Sequence, residues 1–313
     1  LVWNVGHLYY WTQYSSTAVE VTTVGGSPIS GVQGTGPIVT GHCLVWNAAR
    51  LYYWGQGYPT APEVTTVGGS PISGVQGTGP IVTGHCLVWN AARLYYWGQG
   101  YPTAPEVTTV GGSPISGVQG TGPGIGIQCL VWNAGNLYYW TEAFPTATEV
   151  TTVGGSSISN VQGTGPVIGG QCLVWNNGHL YYWVQYSSTA TEVTASGLPV
   201  GNVQGAGPAI GSQCLVWNAG NLYYWTQYAS TVTEVTTIGG SPISNVQGAG
   251  PVIGSQCLVW SGTGPLPGVG GVLIPVDKLS LLAPYIGLTS IILVASVASA
   301  IYVKRVKRRK EKQ

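Results

Sequence analysis

The sequence predicts an all-β fold: a β-propeller of about six four-stranded blades, followed by one C-terminal transmembrane α-helix. Three observations carry this expectation. First, Leu-Val-Trp begins at Leu1, Leu44, Leu87, Leu130, Leu173, Leu215 and Leu258, in steps of 43, 43, 43, 43, 42 and 43 residues. A fixed period of that size marks a chain of supersecondary units, each needing its neighbours to bury its apolar face. Second, 49 Gly and 20 Pro punctuate a chain with 13 Trp and 19 Tyr; Gly and Pro break helices, whereas Trp, Tyr, Val and Thr favour strands. Third, one uncharged apolar run near the C-terminus is followed at once by a basic cluster.

One unit, residues 43–85, shows how the strands arise. Cys43 to Trp46 is a short apolar strand. Asn47 to Arg50 is a turn, and its counterparts Asn133-Ala134-Gly135-Asn136 and Asn176-Asn177-Gly178-His179 have the composition of hairpin turns. Leu51 to Trp54 returns, a variable loop leads to a third strand from Glu63 to Val67, and Gly68-Gly69 stops it. Val75 to Val82 is a fourth extended piece, interrupted by Gly-Thr-Gly-Pro. Four short strands in about 43 residues match one propeller blade. A β-solenoid is the rival reading. Cutting the chain so that each blade ends on Leu-Val-Trp places the first blade at His7 to Trp46 and the sixth at Asn221 to Trp260. One copy is complete to the residue: positions 20–80 and 63–123 are identical. Residues inside that block cannot be tuned separately for asymmetric chemistry.

Four segments follow from this reading: a repeat ectodomain over 1–260, a Gly/Pro linker over 261–280, a transmembrane helix over 281–303 and a basic cytoplasmic tail over 304–313. Leu281 to Val303 carries no charge across 23 residues, enough to span a hydrocarbon core of ~30 Å with some tilt. Tyr285 and Tyr302 lie near its ends, where aromatic belts form, and Lys304, Arg305, Lys307, Arg308, Arg309, Lys310 and Lys312 place the tail inside. The repeats are then extracellular, and the partner of residues 281–303 is membrane lipid. The chain has no Met and opens in mid-motif, which predicts a processed chain or fragment with an export signal upstream. The stretch from Pro275-Val-Asp-Lys-Leu through Leu282-Ala-Pro-Tyr-Ile-Gly-Leu to Tyr302-Val-Lys-Arg-Val-Lys-Arg-Arg-Lys resembles the C-terminal anchor of secreted archaeal surface proteins. That resemblance covers about 40 residues and implies a protein held at the cell envelope.

The aromatic hairpin Leu51-Tyr52-Tyr53-Trp54, followed by Gly68-Gly69-Ser70-Pro71, resembles the short-repeat propellers found among lectins. Independently, alternate side chains of that hairpin face opposite ways. One face is expected to pack between blades; the other either serves packing alone, the favoured reading, or leaves rings that stack on sugars. The candidate binding residues are therefore Trp54, Trp97, Trp140, Trp183 and Trp225, with Tyr58 and Tyr101 in the variable loops. Tyr58-Pro59, Tyr101-Pro102, Phe144-Pro145 and Tyr186-Ser187 would form the rim of such a surface.

Other residues are expected to be structural. Glu20, Glu63, Glu106, Glu149, Glu192 and Glu234 recur once per unit. They read as edge charges, as partners of a neighbouring turn, or as a cation-binding ring. Glu142 alone breaks the pattern and is expected to be merely exposed. Cys43, Cys86, Cys129, Cys172, Cys214 and Cys257 also recur once per unit. Equivalent positions in adjacent blades should exceed the ~7 Å Cα separation of a disulfide, so buried free thiols are expected, with disulfides as the alternative if the cysteines face the narrow axis. His42 and His85 precede cysteines on a strand and point to the opposite face, which argues against a shared metal.

Residues 1–260 hold two Arg against seven Glu, a net −5, which excludes a basic nucleic-acid surface. No phosphate loop and no nucleophile elbow is present. No cofactor, no metal and no catalytic residue is expected. The function expected is a non-enzymatic, membrane-anchored cell-surface module for adhesion to glycan or to an envelope protein. A structural envelope component and a propeller hydrolase are the alternatives.

Overall fold

In a computed structural model, residues 1–262 are described. They are all β, and no helix among them is long and apolar enough to cross a membrane. The expected linker beyond residue 262, the transmembrane helix over 281–303 and the basic tail over 304–313 lie outside the described residues.

The first sheet has three antiparallel strands, β1 (Val2–Trp3), β2 (Leu8–Trp11) and β3 (Ala18–Val21). The second has four: β4 (Val32–Val39), β5 (His42–Asn47), β6 (Leu51–Gly55) and β7 (Glu63–Val64). The third repeats that order with β8 (Val75–Val82), β9 (His85–Asn90), β10 (Leu94–Gly98) and β11 (Glu106–Thr109). The fourth comprises β12 (Val118–Ile125), β13 (Gln128–Asn133), β14 (Leu137–Thr141) and β15 (Thr146–Thr152). The fifth comprises β16 (Gly163–Ile168), β17 (Gln171–Trp175), β18 (Leu180–Val184) and β19 (Thr189–Ala195), with the short β20 (Leu198–Pro199) beside β19. The sixth comprises β21 (Val203–Ile210), β22 (Gln213–Asn218), β23 (Leu222–Thr226) and β24 (Val232–Val235). Last come β25 (Val246–Ile253) and β26 (Gln256–Ser261), paired only with each other.

The expected cut after Leu-Val-Trp is corrected. Each sheet after the first begins with the long Gly-Pro strand, so a segment such as His7 to Trp46 takes half of one sheet and half of the next. Five meanders have the full set of four strands, not six. The physical reason lies in the short turns. Thr40-Gly41 joins β4 to β5 with both residues in the left-handed region, φ 45° and 83°, a hairpin geometry that keeps those two strands together. The long strand bulges between Thr35 and Ile38, where Gly36-Pro37 interrupts the ladder because Pro has no N–H to donate. The glycine two residues before that Gly-Pro in each long strand is also required. A Cβ on Gly77 would fall 2.5 Å from Trp89 Cζ2, whose ring lies flat on the backbone there.

The apolar core sits between sheets, not inside them. Val39, Leu44, Trp46, Leu51 and Ile72 of one unit pack on Cys86, Val88, Tyr95 and Trp97 of the next. The same arrangement repeats three more times along the chain. Each interior sheet is thus covered on both faces, and fully burying one large side chain contributes roughly 1.5–3 kcal/mol. The long strands touch in chain order, β4 to β8, β12, β16, β21 and β25. At the opposite edges the last strands are laced together by two-residue parallel contacts, Thr108 with Thr146 and Thr151 with Thr189. No strand pairing joins β25 or β26 to the first sheet.

Candidate functional site

Every strand of a meander ends at one of two faces. One face carries the turn between the first two strands and the variable loop after the third. The other carries the Asn-initiated turn and the Gly-Gly loop.

On the second face the six periodic glutamates have partners. Arg50 pairs with Glu63 and Arg93 with Glu106. His7 Nδ1 lies 2.6 Å from Glu20 and His179 Nδ1 2.7 Å from Glu192. With their amides turned toward the carboxylate, Asn136 and Asn221 donate to Glu149 and Glu234 at 3.0 Å. The turn residue differs between units but always brings a donor. These glutamates therefore bond the adjacent turn, one of the readings made from the sequence. Among the described residues no group of three or more His, Cys, Asp or Glu could hold a metal. All six cysteines are free, five of them buried. Burial pushes the Cys86, Cys172 and Cys214 thiols up to about 12 and Cys43 to about 11, so they are protonated and inert at neutral pH.

The first face is built by tryptophan. Trp54 Nε1 donates to the Tyr58 carbonyl at 2.7 Å, Trp97 to Tyr101, Trp140 to Phe144 and Trp225 to Ala229 at 2.8 Å, and Trp183 to Ser187 at 2.7 Å. Trp11 does the same to Ser15. Each indole thus closes the loop that follows its own strand. Trp97, Trp140, Trp183 and Trp225 are fully buried, which corrects their assignment as ligand contacts. Sheets stacked face to face leave no free hairpin face. Tyr53, Tyr96, Tyr139 and Tyr182 of the preceding units instead pack on those indoles, with ring centroids 5.7–5.9 Å apart. Trp54 is half-buried.

What the anchored loops present is one exposed aromatic ring each. Tyr58 and Tyr101, expected from the sequence, are exposed, and so are Phe144 and Tyr186 of the expected rim. Tyr14 and Tyr228 complete the set and were missed. Exposure runs from 59% at Phe144 to 93% at Tyr14. The signal was in the sequence: an aromatic three or four residues after each hairpin Trp, counted from the Trp and not from the Pro. The one-residue difference has a structural meaning. The loop needs a left-handed residue, supplied by Gly57 (φ 82°), Gly100 (φ 70°) and Ala143 (φ 60°) in three units. In the others the tyrosine itself takes it: Tyr14 (φ 66°), Tyr186 (φ 66°) and Tyr228 (φ 64°). A bulky residue there is a strained outlier, and such strain concentrates at functional sites.

Cross-unit hydrogen bonds set the spacing of the loops. Gln99 Nε2 donates to the Thr40 carbonyl at 3.1 Å, Gln185 to Ile125 at 2.9 Å and Gln227 to Gly169 at 3.0 Å. Glu142 stands at this glutamine position. A carboxylate cannot donate to a carbonyl, and His85 of the preceding unit meets it instead at 2.9 Å. Glu142 is therefore a half-buried contact between units, not the exposed residue expected. Gln128 Oε1 and Gln171 Oε1 accept from the backbone N–H of Tyr186 and Tyr228, at 2.7 and 2.9 Å. The loops on this face carry no other charged side chain besides His42.

No protein-family model matches the chain, and no curated protein matches it in sequence. In backbone course it is similar to PorZ, a surface component of the type-IX secretion system of Porphyromonas gingivalis, at 12% identity over 73% of this chain and 35% of that one, TM-score 0.42. It is similar to the GH74 enzyme of Niastella koreensis at 13% identity over 68% of this chain and 32% of that one, TM-score 0.41. It is also similar to apo AztD from Citrobacter koseri at 12% identity over 74% of this chain and 66% of that one, TM-score 0.47. The chain spans about a third of the length of the first two structures.

Proposed function

We propose that this chain is a non-enzymatic cell-surface binding module that holds a neutral glycan against its rim of loop aromatics. Residues 281–303 would tether it in the membrane as a single-pass protein with its repeats outside. One observation carries the reading: each of six equivalent loops holds one exposed aromatic ring, on one face. Tyr and Phe faces stack on the C–H faces of sugars, and each such contact is weak, roughly 0.5–1.5 kcal/mol. Repetition converts weak contacts into retention of a polymeric ligand. The near absence of charge on these loops favours an uncharged sugar over an acidic one.

The test is retention of the full chain, in detergent, on an array of neutral and acidic glycans. Wild-type protein is expected to be retained by a neutral polysaccharide. The triple variant Tyr58→Ala, Tyr101→Ala, Phe144→Ala should fold as wild type and lose at least about tenfold in affinity. A wild-type protein that binds no glycan, or a triple variant that binds as well as wild type, would sink the proposal.

A further inference from the structure

The junctions between units on the rim face are of two kinds. In each meander the first residue of the second strand stands in the ladder opposite the last residue of the third. Gln128 faces Thr141, Gln171 faces Val184 and Gln213 faces Thr226, but His42 faces Gly55 and His85 faces Gly98. The glutamine can accept from the backbone N–H of the next unit's loop, as Gln128 does from Tyr186 and Gln171 from Tyr228. Neither histidine makes such a bond. Between the second and third sheets a cavity of about 270 Å³ opens on the rim instead, lined by His42, Tyr53, Gly55, Tyr58, Thr60 and Gly100 among others. Gly100 holds in its own loop the position that Tyr186 holds two units later.

Glycine makes the room. A Cβ on Gly55 would fall 3.1 Å from both His42 Nε2 and Tyr58 Cδ2, so the imidazole and the phenol ring close over the same bare Cα. A Thr or Val there, as in the glutamine junctions, would occupy that space. The only hydrogen bond of His42 is a long one, from Nδ1 to the Thr40 carbonyl at 3.4 Å, and its Nε2 has no partner among the described residues. His85 is the contrast. Positions 42–80 and 85–123 are identical, yet His85 Nδ1 is held at 2.9 Å by Glu142. One unit earlier Gln99 stands in the place of that carboxylate and bonds the Thr40 carbonyl. His85 is tied across its junction, and His42 is not.

Resting on the glycan reading above, we propose that this cavity is the subsite that selects what the rim holds. It takes one neutral hexose residue, with the C–H face of the sugar on Tyr58 and its hydroxyls on His42 Nε2 and the Gly100 N–H. That N–H is the donor which the corresponding Tyr186 gives to Gln128 in a closed junction. Tyr53 and Thr60 bring hydroxyl-bearing side chains to the lining, and no Asp, Glu, Lys or Arg lines it. Such a lining matches sugar hydroxyls and offers no fixed charge to an acidic ligand. The volume lies just under the ~300 Å³ at which pockets for drug-sized ligands begin, the scale of one ring and not of a chain. The exposed rings of the neighbouring loops then add their weaker contacts to the rest of the polymer.

The experiment follows the imidazole signals of the full chain in detergent, by proton–nitrogen NMR, as galactose, glucose or mannose is added. The signals are assigned from His42→Gln and the same change at His7, His85 and His179. At least one sugar is expected to shift the His42 signals saturably, while those of His7 and His179, paired with glutamates on the opposite face, stay in place. The double variant His42→Gln, Gly55→Thr installs the pair found at Gln128 and Thr141. It should match wild type in circular dichroism and lose at least about tenfold in affinity for the neutral glycan retained on the array. No His42 shift with any of the three sugars overturns the subsite; retention of wild type on the array would then leave the rim reading standing without it. A folded double variant that binds as well as wild type also overturns the subsite. A His42 shift in a protein that the array does not retain would uphold the subsite and remove the rim.

Discussion

Gln171 offers a direct check on the hydrogen-bond logic of the rim. Its side chain is fully buried and its Oε1 is used, yet its Nε2 has no partner. The equivalent amides are satisfied: Gln128 donates to Thr141 Oγ1 at 2.8 Å and Gln213 to Thr226 Oγ1 at 3.0 Å. The residue opposite Gln171 in the ladder is Val184, which has the same shape as Thr but no oxygen. A buried donor left unpaired costs about 1–3 kcal/mol, and a neutral hydrogen bond contributes about 0.5–1.5 kcal/mol net. Losing one half-buried methyl costs a fraction of ~0.8 kcal/mol. Val184→Thr should therefore stabilise the protein by about 1 kcal/mol, a rise in Tm of about 2–4 °C for a unit of this size. Urea titration followed by tryptophan fluorescence gives the same quantity as a shift of midpoint at constant slope. The control is a double-mutant cycle with Gln171→Leu, in which the added hydroxyl has nothing to accept from. An unchanged or lower midpoint for Val184→Thr, or an equal gain in the Gln171→Leu background, would refute the reasoning.

Two other outcomes follow from the same face and core. Tyr228→Gly relieves a left-handed tyrosine, a strain of roughly 1–2 kcal/mol offset in part by the ~0.5–1 kcal/mol entropic cost of Gly; thermal stability should rise slightly while glycan retention falls. A loss of stability would mean that the ring packs on the protein and does not await a ligand. Native protein at pH 8 should alkylate rapidly at Cys257 alone. The thiols of Cys86, Cys129, Cys172 and Cys214 are raised by burial, so their reactive thiolate is scarce until pH approaches the raised value; they should react only on unfolding. Equal rates for all six, followed by mass spectrometry, would contradict the buried assignment.

Much of the architecture was legible because it is periodic. The hairpin Cys43–Trp46 to Leu51–Trp54 falls where the Asn-Ala-Ala-Arg turn and the apolar runs place it. What could not be read was which strand opens a sheet. Periodicity says that units repeat, not where one is cut, and the decision rests on the left-handed Thr40-Gly41 turn, whose composition is unremarkable. The aromatics were legible as a set but not by role. Tyr101 and Trp97 are both large rings four residues apart; the first ends at a loop tip and the second inside, because the indole N–H finds the loop carbonyl and the preceding sheet covers the ring. The partner of Glu142 was hidden because it lies 57 residues away, in the preceding unit.

The indole bonds that close the rim loops all end on a backbone carbonyl. A carbonyl is present whatever residue occupies the position, so the anchor places no demand on the side chains it holds. That is how Gly-Gln-Gly-Tyr-Pro, Thr-Glu-Ala-Phe-Pro and Val-Gln-Tyr-Ser-Ser can sit on the same clasp. Duplicating a unit therefore copies a finished display site, and rewriting a loop tip alters what is displayed while the clasp stays shut. The rim can be edited one loop at a time, much as lettering is changed on a fixed frame.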